Sequence, residues 1–118
     1  MGQIATKDAQ LNAALLNGTV LEVFGDIYHP DVVMIEGDGT ECAGLAANTT
    51  REQQFFGSIT EFKAGNVTDA VVDEENGVSY NTQFMHVMMG EHELKLDQVA
   101  VRHWKDGKII RERFYYNA

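Results

Sequence analysis

Residues 99–116 read VAVRHWKDGKIIRERFYY. Val99–Trp104 and Lys108–Tyr116 are rich in β-branched and aromatic residues, and Lys105-Asp106-Gly107 between them is a turn signal, so the stretch predicts a β-hairpin. A three-residue loop fits, with Gly107 in the left-handed position where a Cβ would be penalised. That loop sets Trp104 opposite Lys108, Arg102 opposite Ile110, Ala100 opposite Glu112 and Gln98 opposite Phe114. One face then carries Trp104, Arg102, Ala100, Ile110, Glu112, Phe114 and Tyr116; the other carries His103, Val101, Val99, Ile109, Arg111 and Arg113. A two-residue Asp-Gly turn gives different partners, because a one-residue slip moves every side chain of a strand to its opposite face.

Working upstream, Val78–Met89 has an apolar phase in Val78, Tyr80, Phe84, His86 and Met88, alternating with polar Ser79, Asn81 and Gln83. This predicts a half-buried strand with the first set inward. A loop of Gly90-Glu91-His92 returns the chain into Leu94, Leu96 and Gln98, and places Tyr80 and His86 on the face of Trp104 and Glu112. That face mixes apolar side chains with His86, Arg102 and Glu112, a composition suited to a pocket wall.

Before this lie three helical segments and two strands. Thr6 or Asp8 caps a helix to Asn17 that Gly18 ends. Thr19-Val20-Leu21-Glu22 is a capping box for a second helix, with Leu21, Phe24 and Tyr28 on one side and His29-Pro30 as its stop. Val32–Glu36 is a strand, broken at Asp38-Gly39. Thr49-Thr50-Arg51-Glu52 is a further capping box, starting a helix that runs to about Glu61. Lys63–Glu74 is a strand leading to the Asn76-Gly77 hairpin turn. Helix, helix, strand, helix and then four antiparallel strands make an α+β fold, a curved antiparallel sheet with three N-terminal helices across its concave face, enclosing a cone.

The 118 residues make one domain, 1–118, long enough for a real core. Eighteen acidic residues against nine basic give a net charge of −9, which argues against nucleic acid and anionic membranes as partners. Cys42 is the single cysteine, so no internal disulfide forms, and it reads as a small filler. No apolar run is long enough to span a bilayer and no charged leader precedes one, so the expected location is cytoplasmic. His29, Asp31 and Glu36 have no recognisable metal spacing, and neither a metal nor a cofactor is expected.

The element order resembles the nuclear transport factor 2-like superfamily, and within it the SnoaL-like branch. Tyr28-His29-Pro30-Asp31-Val32-Val33-Met34, Gly44, Trp104-Lys105-Asp106-Gly107-Lys108-Ile109-Ile110 and Phe114-Tyr115-Tyr116 carry the resemblance, which spans nearly the whole chain. It implies a cystatin-like, cone-shaped fold and a homodimer through the outer sheet face, here Val99 and Val101 flanked by His103, Arg111 and Arg113. Members of the superfamily include ketosteroid isomerases, limonene epoxide hydrolases, polyketide cyclases and pocketed domains without known activity.

The resemblance also nominates residues. In the isomerase branch a carboxylate base ends the first strand, where this chain has Glu36 after Asp31-Val32-Val33-Met34-Ile35. A carboxylate walled by apolar groups suits proton abstraction from carbon. The isomerase's two acidic hydrogen-bond donors align with Asn12 and Ala100, so ketosteroid isomerisation is not expected. Polyketide cyclases of this branch use an Asp and a His, which points to His86 as the second catalytic candidate. Arg102 and Glu112 are diagonal neighbours able to pair, either to orient a ligand or to tie two strands together. Tyr28, Tyr80, Trp104, Phe114 and Tyr116 form an aromatic lining for a small hydrophobic molecule. The expected function is cofactor-free acid-base chemistry on such a molecule, as an isomerase, cyclase or hydratase/dehydratase; the alternative is a non-catalytic ligand-binding or dimeric interaction domain.

Overall fold

The computed structural model describes residues 2–116. Its elements are α1 (Gln3–Asn17), α2 (Val20–Ile27), β1 (Tyr28–Ile35), β2 (Glu41–Ala43), α3 (Leu45–Ser58), β3 (Glu61–Asp73), β4 (Val78–Met89), β5 (His92–Lys105) and β6 (Lys108–Tyr115). The strands form one curved, open sheet in the order β2-β1-β6-β5-β4-β3, with the helices on one side. The expected α+β class holds, but the sheet is not wholly antiparallel, because β1 runs parallel to β6. Leu11, Ala14, Phe24, Ile27, Val32, Met34 and Ile109 pack together as the core between helices and sheet. Among the described residues no helix is long and apolar enough to cross a membrane.

Two turns decide which side chains face inward. Asp106 and Gly107 have φ of 55° and 78°, the pair of positive values that a two-residue type I′ hairpin needs. Lys105 therefore pairs with Lys108 and Trp104 with Ile109, and the register then shifts before His103 pairs with Arg111. Ile110 is the extra residue, and this bulge resets the alternation. Ile109 takes the inward, fully buried place expected for Ile110, while Glu112 and Phe114 still point in. Arg102 lies directly opposite Glu112 rather than diagonal to it.

The second turn inverts a strand. Gly90 has φ 66° and stands first in a two-residue loop, so Met89 pairs with His92 and Ser79 with Arg102. Compared with a three-residue loop, this is a slip of one position, and β4 turns over. Ser79, Asn81 and Gln83 are buried on the inner face, whereas Tyr80 and Phe84 are 44% and 37% exposed on the outer one.

The helix starts also differ from expectation. α1 begins at Gln3, where the Glu74 carboxylate of the β3–β4 turn accepts the N–H groups of Ile4 and Ala5 at 3.1 and 2.8 Å. Capped from outside, α1 does not need Asp8 at its start, and Asp8 is buried within it. α2 hands over directly to β1, so Tyr28 is a strand residue whose ring still stacks on Phe24 at 4.3 Å. α3 starts at Leu45 after Gly44 (φ 94°), and Thr49 lies inside it, its hydroxyl donating back to the Leu45 carbonyl at 2.7 Å. The short β2, with Cys42 half-buried on it, had no counterpart in the sequence reading.

Candidate functional site

Arg102 on β5 is wholly buried, as are Asp8 on α1 and Glu112 on β6 to within 1%. The guanidinium donates from Nε to Glu112 Oε2 at 2.9 Å and from Nη1 to Asp8 Oδ1 at 2.7 Å. It also donates to Asn12 Oδ1 at 2.8 Å. Two carboxylates around one cation leave a negative charge buried, which is tolerated only where further donors satisfy it. Tyr28 OH donates to Glu112 Oε1 at 2.5 Å, and Ser79 Oγ to Asp8 Oδ1 at 2.8 Å. Ser79 Oγ in turn accepts Trp104 Nε1–H at 2.9 Å. Burial, then the charge of Glu112, pushes the Tyr28 hydroxyl well above the ordinary tyrosine value. Burial alone would lower Arg102, but Glu112, Tyr28 and Asp8 outweigh it and hold the guanidinium above its ordinary value.

Tyr28, Arg102 and Glu112 of this network line a cavity of about 580 Å³ between sheet and helices, within the range of small-molecule sites. The sheet contributes Met34, Gln83, Met85, Leu94, Leu96, Gln98, Arg102, Glu112 and Phe114. The helical side contributes Leu15, Val20, Phe24, Arg51, Glu52, Phe55 and Phe56. Arg51 and Glu52 precede Phe55 and Phe56 by one helical turn, so the same face of α3 presents all four.

At the end of β1, Glu36 reaches the cavity and is held from two sides. Arg51 Nη1 pairs with its Oε1 at 2.9 Å, and Tyr116 OH donates to its Oε2 at 3.0 Å. Gly37 makes room for Tyr116, since a Cβ there would lie 2.9 Å from the ring carbons. Burial raises the Tyr116 hydroxyl; a Gly37 backbone hydrogen bond opposes this, and the Glu36 carboxylate adds to it.

Arg51 thus gives its ion pair to Glu36, and Glu52 stands beside Phe55 and Phe56 without it. Burial, followed by the charge of Glu112, pushes the Glu52 carboxyl up to about 7; Arg51 pulls the other way and Glu36 adds to the rise. A carboxyl half-ionised at neutral pH can both take and return a proton.

Tyr28, Glu36, Arg102, Glu112, Phe114 and Tyr116 line the cavity. Three expected site residues do not. His86 is on the outer face of inverted β4, its Nε2 2.9 Å from Glu93 Oε2, and Tyr80 shares that face. Trp104 is built into the core cluster, its indole N–H spent on Ser79. Glu52 and Asp8 were missed because each was read as a helix-start residue. The signal that reveals Glu52 is its spacing of three and four from Phe55 and Phe56 on one helical face.

The SnoaL-like domain matches residues 5–116. The chain belongs to this family. Among solved structures, the fold is shared with a protein from Mesorhizobium loti provisionally assigned as a SnoaL-like polyketide cyclase, at 22% identity and TM-score 0.82, covering 98% of this chain and 100% of that one. An LEH-like epoxide hydrolase from M. tuberculosis aligns at 15% identity and TM-score 0.79, over 98% of this chain and 83% of its own. A cystatin-like protein from Xanthomonas campestris aligns at 18% and 0.79, over 98% and 90%. Comparison with curated proteins gave no match. At these identities the solved structures share the architecture alone, and the chemistry rests on the side chains of this chain.

Proposed function

We propose that this SnoaL-like protein is a cofactor-free acid-base enzyme acting on a compact hydrophobic substrate, with Glu52 as the group that moves the proton. The observation that carries this reading is a carboxyl at about 7 in the wall of a largely apolar cavity. Such a group removes a proton as carboxylate and delivers one as acid, which suits isomerisation, cyclisation or hydration and dehydration. Glu36 serves as a fixed charge: pinned by Arg51 and Tyr116, it occupies the arginine and helps to keep Glu52 protonated.

The test begins with thermal unfolding against steroids, polyketide aromatics, terpene epoxides and fatty acids. A ligand at a hundred times its dissociation constant adds about 2.7 kcal/mol to the folded state. Hits are then assayed for turnover, and Glu52→Gln is expected to abolish it. A substrate that Glu52→Gln turns over at the wild-type rate removes Glu52 from the chemistry. Ligands that bind without any turnover leave a binding module.

A homodimer through the outer sheet face is the proposed assembly. It is supported by the exposure there of Tyr80 and Phe84, with Val101 paired to Tyr80 across the strands.

A further inference from the structure

The charges around the cavity do not cancel. Glu36, Asp38, Glu52 and Glu112 line it against Arg51 and Arg102. Both cations are already engaged: Arg51 pairs with Glu36 at 2.9 Å, and Arg102 is shared between Glu112 at 2.9 Å and Asp8 at 2.7 Å. Among the described residues no salt bridge reaches Glu52. A cleft with apolar walls and an excess of one sign of charge concentrates ions of the other sign. A carboxylate or phosphate entering here would meet like charge.

The rest of the wall also suits a cation. Phe24, Tyr28, Phe55, Phe56, Phe114 and Tyr116 line the same space, and aromatic faces attract ammonium groups, more strongly where water is excluded. Phe55 and Phe56 follow Glu52 by three and four positions on α3, so one helical face offers both the carboxyl and the rings. Arg102 Nη2 is an independent mark of an occupant. It is a donor on a fully buried side chain of this wall, without a partner among the described residues, and native proteins seldom leave such donors unmet. The ring face of a bound ligand, or a water entering with it, would meet that donor.

We propose that the cavity selects compact hydrophobic amines in their ammonium form, with Glu52 as counter-ion and Phe55 and Phe56 as the aromatic wall beside it. This rests on the reading of the cavity as a substrate site and names the class of substrate. A bound ammonium also holds Glu52 in its ionised form, ready to accept a proton. Glu112 on β6 and Glu36 after β1 favour the protonated form of Glu52, and Arg51 on α3 opposes them. Tyr28 on β1 stays a neutral hydroxyl, its proton held well above the ordinary value. Glu52 itself titrates at about 7, so affinity for an ammonium should rise with pH through neutrality.

The experiment measures 1-aminoindane, 1-methylindane and indane-1-carboxylate binding to the full chain by NMR titration at pH 6 and pH 8. The three share an apolar body, and the amine remains an ammonium across this range. A carboxyl at about 7 is roughly one-tenth ionised at the lower pH and roughly nine-tenths at the higher, so the amine should bind about tenfold more tightly at pH 8. The methyl isostere should bind equally at both. At pH 8 the amine should bind more tightly than the isostere, and the carboxylate least. Glu52→Gln should remove both the pH dependence and the advantage of the amine, with 1-methylindane affinity unchanged as the sign of an intact cavity. The wild-type arms decide alone should the variant fail to fold. An amine affinity that is flat with pH, a carboxylate that matches the amine, or a pH dependence that survives Glu52→Gln overturns the proposal, while binding of 1-methylindane keeps the cavity a site. Failure of all three to bind the wild type instead overturns the substrate-site reading, and this inference with it.

Discussion

Glu52→Gln exchanges a carboxyl for an amide of the same shape, and its effect on stability should depend on pH as only a half-buried, readily protonated acid requires. In the folded protein Glu52 titrates at about 7 against an ordinary value of 4.5, mainly because it is buried and next because Glu112 is negative. Between those two values the folded state holds a proton that the unfolded chain has released, so stability falls as pH rises through the window. Below the lower value both states are protonated and Glu52 costs nothing. Above the upper value both are ionised and the full penalty is present. At about 1.4 kcal/mol per pH unit, the loss amounts to roughly 3 kcal/mol by pH 8. Gln does not titrate, so the variant is spared it. Wild type and Glu52→Gln should be equally stable near pH 4, and the variant should be ahead by about 3 kcal/mol at pH 8, on the order of 10 °C in Tm for a domain of this size. Urea unfolding of both proteins at a series of pH values measures this, and other titrating groups cancel in the difference. A gap that stays constant with pH, or one that stops growing well short of 7, refutes the reasoning.

The other substitutions test the scaffold of the site. Arg102→Met leaves Glu112 and Asp8 buried without their cation and should cost about 3–5 kcal/mol in urea unfolding; a loss below 1 kcal/mol would mean that water reaches those carboxylates. Gly107→Ala puts a side chain at φ 78° in the β5–β6 turn and should cost about 1–2 kcal/mol, read from the same curves, with no loss indicating that the turn relaxes to another type. Val101→Glu on the outer face should split the proposed dimer on a sizing column, and an unaltered dimer would place the interface elsewhere.

The closing hairpin was legible because its two faces differ in kind, with Trp104, Arg102 and Glu112 set against His103, Arg111 and Arg113. Even a wrong loop length left nearly the right inner face, since the bulge at Ile110 compensated for the shorter turn. β4 had no such protection. Its apolar phase, Tyr80 and Phe84, points outward, and its polar phase meets Arg102, Asp8 and Asn12 inside. Periodicity assumes that the buried face is the apolar one, and a wall built around a buried arginine reverses that assumption. Asp8 and Glu52 were hidden for a related reason. An acid near a helix start satisfies a capping pattern in sequence, yet α1 is capped by Glu74 from another turn and α3 starts earlier, at Leu45. Tertiary contacts place Asp8 in the interior and leave Glu52 half-buried in the cavity wall.

These local outcomes are linked. The two-residue turn at Gly90 brings Ser79 and Asn81 inward, opposite Arg102 and Ala100. Ser79 then donates to Asp8, and Asn81 to Asn12 at 3.3 Å, fixing α1 against the sheet and meeting demands that a lone arginine leaves open. With Tyr80 inward instead, Asp8 would lose the Ser79 hydroxyl and an aromatic ring would intrude on the space beside Arg102. The network also supplies Glu112, deep in the protein, with the Tyr28 hydroxyl and the Arg102 guanidinium as donors. The charge of Glu112 is the second contribution that holds Glu52 near 7, after burial. The register of one hairpin therefore reaches the proton affinity of a carboxyl on α3 through a chain of buried hydrogen bonds. Changes at Gly90 or Ser79 should accordingly shift the pH response of Glu52 without touching it.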